Sequence, residues 1–99
     1  MSKFLEFINQ DKPVLIDFFA TWCGPCQTMS PILKQVKDDL GESVKILKID
    51  VDKNKALANK FQVRGVPTFI LFNKGKQVWK QSGLITKSDL KHIILKNQN

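Results

Sequence analysis

Apolar residues along this chain follow two rhythms. Val14-Leu15-Ile16-Asp17-Phe18-Phe19-Ala20 is apolar at every position but one, the pattern of a central strand buried on both faces. From Cys23 to Leu40 the apolar positions are Met29, Ile32, Leu33, Val36 and Leu40, with Lys34, Lys37 and Asp38 opposite, which is helical spacing. Pro31 falls inside that helix and is expected to kink it, and Gly41 is a stop signal. Before the first strand, Phe4, Leu5, Phe7 and Ile8 predict a short helix ending ahead of Pro13. Val44 to Val51 predicts a second strand, Asn54 to Gln62 a short helix with Leu57 and Phe61 on one side, and Thr68 to Phe72 a third strand. Asn73-Lys74-Gly75-Lys76 is a turn, so Gln77 to Gln81 returns as a hairpin partner. Thr86 followed by Asp89 resembles a capping box and opens a last helix carrying Leu90, Ile93 and Ile94.

The order α, β, α, β, α, β, β, α predicts an α/β fold. A strand–helix–strand unit followed by a hairpin gives a mixed sheet of about four strands with helices on both faces. In such sheets ligand chemistry gathers beyond the carboxyl ends of the parallel strands, and Cys23 falls there. Ninety-nine residues suit one domain, residues 1–99, with one core. No apolar run approaches the roughly 20 residues that cross a bilayer. Glu6 interrupts the N-terminal apolar residues, so no signal-peptide core is expected and a cytoplasmic protein is.

Charge sharpens the picture only slightly. The net charge is +7, and it is uneven: residues 1–50 carry six Lys against seven Asp or Glu, residues 51–99 ten Lys or Arg against two Asp. The basic residues are dispersed and no nucleic-acid motif accompanies them, so a solvated basic face is expected, with steering toward acidic partners as the alternative.

The candidate chemistry lies in Trp22-Cys23-Gly24-Pro25-Cys26, which holds both cysteines of the chain. Two thiols separated by two residues close a ring within one turn. A strand that delivers Cys23 to a helix N-terminus exposes its sulfur to unpaired N–H groups and the helix dipole, which favour a thiolate. Cys26, one turn further in, should be more buried and more fully protonated. Cys23 would then attack a substrate disulfide and Cys26 would resolve the mixed disulfide. Gly24 permits close approach of a partner backbone, and Pro25 stiffens the first turn. A purely structural disulfide is the bland alternative, but so small a ring removes only ~2 kcal/mol of unfolded-chain entropy. A metal site is another, but one CxxC and a lone His92 in a different helix do not supply four ligands. Asp17 is a second signal: a carboxylate amid apolar residues is desolvated, its pKa rises, and it can exchange a proton with Cys26. The alternative is that it faces solvent at a sheet edge.

These residues, with Pro31, Gly65-Val66-Pro67-Thr68 and Gly83 in the same order and at about the same spacing, resemble the thioredoxin family from Val14 onward. The resemblance implies a thioredoxin fold and reduction of protein disulfides by dithiol–disulfide exchange. It implies a cis peptide bond before Pro67, with that loop lying against the cysteines. The backbone around Val66 would pair with an extended substrate segment. Trp22, Gly24, Pro25, Gly65, Val66, Pro67, Gly83 and Leu84 would form the docking surface. Lys48 would lie near Asp17 and modulate its ionisation, the alternative being an ordinary surface lysine. The partners implied are disulfide-containing client proteins and a flavin-dependent thioredoxin reductase fed by NADPH, with no cofactor bound to this chain, no nucleic acid and no membrane.

The chain also departs from the family. The usual additional strand before the first helix is expected to be missing, which leaves the Val44–Val51 strand at a sheet edge. A monomer is expected, with weak dimerisation through that edge as the alternative. Phe19 stands where a second Trp is common, and Gln27 where a basic residue often follows the second Cys. Gly24-Pro25 between the cysteines favours a reductant. An oxidant or isomerase on the same fold, a glutaredoxin, and a pure binding module are the competing classes.

Overall fold

The computed structural model describes residues 1–98. Its elements run α1 (Ser2–Ile8), β1 (Val14–Phe19), α2 (Gly24–Leu40), a 3-10 turn (Gly41–Ser43), β2 (Lys45–Asp50), α3 (Lys55–Lys60), β3 (Thr68–Asn73), β4 (Lys76–Ser82) and α4 (Lys87–Lys96). The sheet order is β2-β1-β3-β4. β1 and β2 are parallel, while β3 runs antiparallel to both β1 and β4. β2 is therefore an edge, as the sequence implied.

Strand alternation sorts the core into two layers. Val14, Ile16 and Phe18 of β1, with Ile70 and Phe72 of β3, pack under α1 and α3 through Phe4, Ile8 and Leu57. Leu15, Phe69 and Leu71 point to the other face and meet Met29, Leu33 and Val36 of α2 and Leu90 and Ile94 of α4. Both central strands are thus buried on both faces, which explains their uninterrupted apolar runs. Phe4, Phe61 and Phe72 form a ring cluster with centroids 5.4–6.0 Å apart, tying α1 and the end of α3 to β3.

Local chemistry accounts for the boundaries. Gly41 caps α2, and the Lys37 ammonium donates to the carbonyls of Gly41 and Val44 at 2.7 Å, fastening the last turn of the helix to the residues that lead into β2. Pro31 lies within α2 and the helix continues past it. Thr86 caps α4, its Oγ1 accepting from the Asp89 N–H at 3.1 Å. The β3–β4 hairpin turns on Lys74 (φ 53°) and Gly75 (φ 81°), both left-handed, so glycine supplies only half of the unusual geometry. That tip is anchored to the end of α1, since the Lys74 and Gly75 N–H groups donate to the Gln10 and Ile8 carbonyls at 3.1 Å.

Candidate active site

Cys23 stands between β1 and α2 and is the N-cap of α2. Its sulfur accepts the Cys26 N–H at 3.1 Å, doing with sulfur what Ser or Asp oxygens do at other helix starts. One turn later Cys26 completes a disulfide with it, the two Cα atoms 5.3 Å apart. Gly24 and Pro25 fill the first turn, where the missing proline N–H costs nothing. In this oxidised form the two cysteines are equally buried, 4% and 5% exposed, so Cys26 is not the deeper of the pair as the sequence suggested. The ring is small enough that both sulfurs share one apolar seat, with Ala20 beneath and Phe19, Val51 and Val66 alongside.

Trp22 precedes the pair and is 70% exposed, but it is not loose. Its indole N–H donates to Asp52 Oδ2 at 2.8 Å, and the Asp52 N–H donates in turn to Asp50 Oδ1 at 2.9 Å. Asp52 is a site residue that sequence reasoning missed. Across from Trp22 lies the segment Gly65-Val66-Pro67, with a cis peptide bond between Val66 and Pro67. Thr68 holds this segment: its Oγ1 is 2.6 Å from the Gly65 carbonyl and 2.8 Å from Ser82 Oγ. The Gly83 N–H donates to the Pro67 carbonyl at 2.9 Å, and Gly83 has φ +90°, a conformation that favours glycine. Gly83 is thereby held beside the Pro67 carbonyl, and Leu84, next in the chain, is 59% exposed. A cleft of about 160 Å3 runs between Trp22, Val51, Val63, Arg64, Gly65 and Val66. Among the described residues the Val66 backbone makes no hydrogen bond.

Asp17 lies in the middle of β1, on the α2 side of the sheet, and is 1% exposed with Oδ1 unpartnered. Burial pushes its carboxyl from the ordinary 3.8 up to about 6, against the opposing pull of the Lys48 charge. Lys48 faces Asp17 in the β1–β2 register. Its ammonium sits 4.9 Å from the Phe19 ring centroid and 3.4 Å from Ser30 Oγ. A second cleft, about 220 Å3, is lined by Phe19, Thr21, Cys26, Gln27, Ser30 and Lys48, so Cys26 and Lys48 share one opening to water. His92 is exposed on α4, and among the described residues no cluster of His, Cys, Asp or Glu could hold a metal ion. Nor is any described helix long and apolar enough to cross a membrane.

A disulfide-closed CxxC thus opens a helix, with Val66 of the cis-proline loop packed against the cysteines. The family model for thioredoxin covers residues 1–96. The chain belongs to the thioredoxin family. It is 44% identical over 90 residues to thioredoxin Y, chloroplastic, of Oryza sativa subsp. japonica, covering 90% of this chain and 54% of that protein, so it spans about half the length of that relative. It is 40% identical over 89 residues to the bifunctional thioredoxin reductase/thioredoxin of Mycobacterium leprae, 90% of this chain and 19% of that one. Among solved structures, a mutant thioredoxin from Halobacterium salinarum superposes with a TM-score of 0.91 at 37% identity, over 100% of this chain and 86% of that chain. The α/β thioredoxin fold is therefore present here in a short, four-stranded form.

Proposed function

We propose that residues 1–99 act as a single thioredoxin domain that reduces protein disulfides by dithiol–disulfide exchange. The observation that carries this reading is the Cys23 sulfur, seated as the helix cap where an N–H already points at it and where negative charge is favoured. In the reduced protein the Cys23 thiolate attacks one sulfur of a client disulfide. A Cys23–client disulfide forms and the client's other sulfur leaves as a thiolate. Cys26, losing its proton, attacks Cys23 Sγ, closes the Cys23–Cys26 disulfide and releases the second client thiolate. Two electrons pass to the client and two thiols of this chain become a disulfide.

Asp17 takes the role of proton acceptor for Cys26, and Lys48, which lines a cleft with Cys26, tunes Asp17 by its charge. The client lies across Trp22, Gly24, Pro25, Gly65, Val66, Pro67, Gly83 and Leu84, and the free Val66 backbone pairs with an extended segment of it. Electrons return from NADPH through a flavin-dependent thioredoxin reductase. A relative that carries both names in one chain supports that partnership. A reductant of this kind works in the cytoplasm or an equally reducing compartment.

The test uses a symmetrical aromatic disulfide whose thiolate absorbs visible light. The reduced wild-type protein should release both aromatic thiolates per molecule. Cys26→Ser should release one and retain the other as a stable adduct on Cys23. Cys23→Ser should release far less in the same time. Equal reactivity of the two single variants would refute the assignment of attacking and resolving sulfurs.

A further inference from the structure

A concavity of about 520 Å3, larger than either cleft beside the cysteines, lies along the open side of β2. Its floor is apolar: Phe4 and Phe7 of α1, Leu47 and Ile49 of β2, and Leu57 of α3. Its rim is cationic, set by Lys3, Lys53 and Lys55. The ion pairs among the described residues involve Lys12, Lys45, Lys87 and Lys91, so these three rim lysines stand without a carboxylate.

The strand bordering the groove is ready to pair. The Lys45 N–H donates to the Pro13 carbonyl and the Val51 N–H to the Phe19 carbonyl. Backbone direction alternates along a strand, so residues 45, 47, 49 and 51 face β1 while the N–H and C=O of Ile46 and Lys48 face outward. Edge strands are commonly guarded by a proline, a bulge or a free lysine. β2 has no proline, and its register with β1 is unbroken. Its lysines are engaged elsewhere, Lys45 with Glu42 at 3.6 Å and Lys48 with Ser30 and the Phe19 ring.

We infer that this edge and groove are a docking site for an extended, acidic segment of a partner protein, which adds to the sheet as a fifth strand beside β2. Its backbone takes the outward groups of Ile46 and Lys48. Every second side chain of the segment faces the groove: the apolar ones sit over Leu47 and Ile49, and carboxylates at the remaining groove-facing positions meet Lys3, Lys53 and Lys55. Main-chain bonds hold such a segment and the pockets select it. A second copy of this chain is the wrong occupant. It brings a net charge of +7 and would set its own lysine rim against this one. The site is separate from the disulfide and does not depend on the redox reading.

The probe is a synthetic peptide of about eight residues, the span of an ordinary strand, with Thr at every second position and, at the groove-facing positions between them, Leu in the middle and Glu towards both ends, beside a counterpart with Lys in place of Glu. Each is titrated into the isotopically labelled oxidised chain while the backbone amides are followed by NMR. The Glu peptide should bind saturably, with the largest shifts at Ile46 and Lys48. The Lys peptide, and the Glu peptide against a Lys53→Glu, Lys55→Glu variant, should bind at least about tenfold more weakly. Both substitutions are exposed and outside the redox site, so unchanged disulfide exchange with the small aromatic disulfide reports that the variant is folded. Absence of saturable shifts on β2 overturns the proposal, as do shifts centred on Trp22 and Val66 or equal binding of the two peptides. Concentration-dependent self-association of the free chain would give the edge to a second copy and overturn it equally.

Discussion

Asp17 is a carboxylate with no room for its charge: buried, one oxygen unpartnered, its pKa lifted to about 6. The folded chain therefore holds this proton more tightly than the unfolded chain, where the value is near 3.8. Stability then falls as pH rises between those two values and is flat above them. A shift of this size corresponds to about 3 kcal/mol at most. Asp39 and Glu42 are held below the ordinary range by nearby lysines and slope the other way, so the informative quantity is the difference between wild type and variant. Asp17→Ala should be more stable than wild type by about 2 kcal/mol at pH 7, the small cavity offsetting part of the gain, and the advantage should vanish near pH 4. Urea melts of both oxidised proteins across that range check it, since the disulfide removes thiol titration. The same variant should resolve mixed disulfides more slowly, and an unchanged rate in single-turnover mixing would remove Asp17 from the mechanism. Asp17 was legible in the sequence because apolar neighbours on both sides argue for burial over a solvent-facing sheet edge, and it is 1% exposed. Asp52 was not. Its bond to Trp22 joins residues 30 apart in the chain, and only the folded turn after β2 brings them together.

At the scale of elements, apolar rhythm with the turn and capping signals was enough to place α1 to α4 and β1 to β4, but apolar rhythm alone did not foretell the 3-10 turn at Gly41–Ser43 or the antiparallel pairing of β1 with β3. It failed at ends decided by backbone geometry rather than side-chain type. α3 stops at Lys60, two residues short of the expected Gln62. Gln62 is left-handed at φ 55°, and the Val63 N–H folds back to the Ala58 carbonyl, an ending that a glycine would have advertised and a glutamine does not. Thr68 is a similar case. As the first residue of β3 it reads as ordinary strand, yet its hydroxyl ties the Gly65–Pro67 segment to β4. Thr68→Val should leave the Gly65 carbonyl short of a donor, cost about 1–2 kcal/mol in thermal or denaturant unfolding, and raise KM for a protein disulfide more than it lowers kcat. Equal loss with a small aromatic disulfide would mean that the cysteines, not the docking loop, had moved. Thr86→Ala removes the cap of α4 and should cost about 1 kcal/mol without touching either parameter.

Across the whole molecule, charge is the property that fold and active site leave undetermined. The sheet and its layers would form with a neutral surface, yet the half of the chain from residue 51 onward carries ten cations against two carboxylates. Positive charges from both halves border the redox face: Arg64, from the basic half, lines the cleft beside Trp22, and Lys48, from the first half, lines the one beside Cys26. A field of this sign draws acidic clients toward the disulfide and leaves neutral reagents unaffected. Screening separates the two. Raising ionic strength from about 0.01 M to about 1 M shortens the Debye length from about 30 Å to about 3 Å, so long-range attraction is lost while contact chemistry remains. For an acidic disulfide protein, kcat/KM should fall by roughly tenfold over that range, with kcat nearly constant, because steering acts on encounter. For an uncharged small disulfide the same titration should change kcat/KM little. Arg64→Glu should flatten part of the salt dependence for the acidic protein and leave the uncharged reagent's rate alone. If the two substrates respond to salt alike, the positive field has no part in client selection, and the basic second half is a solvated surface only.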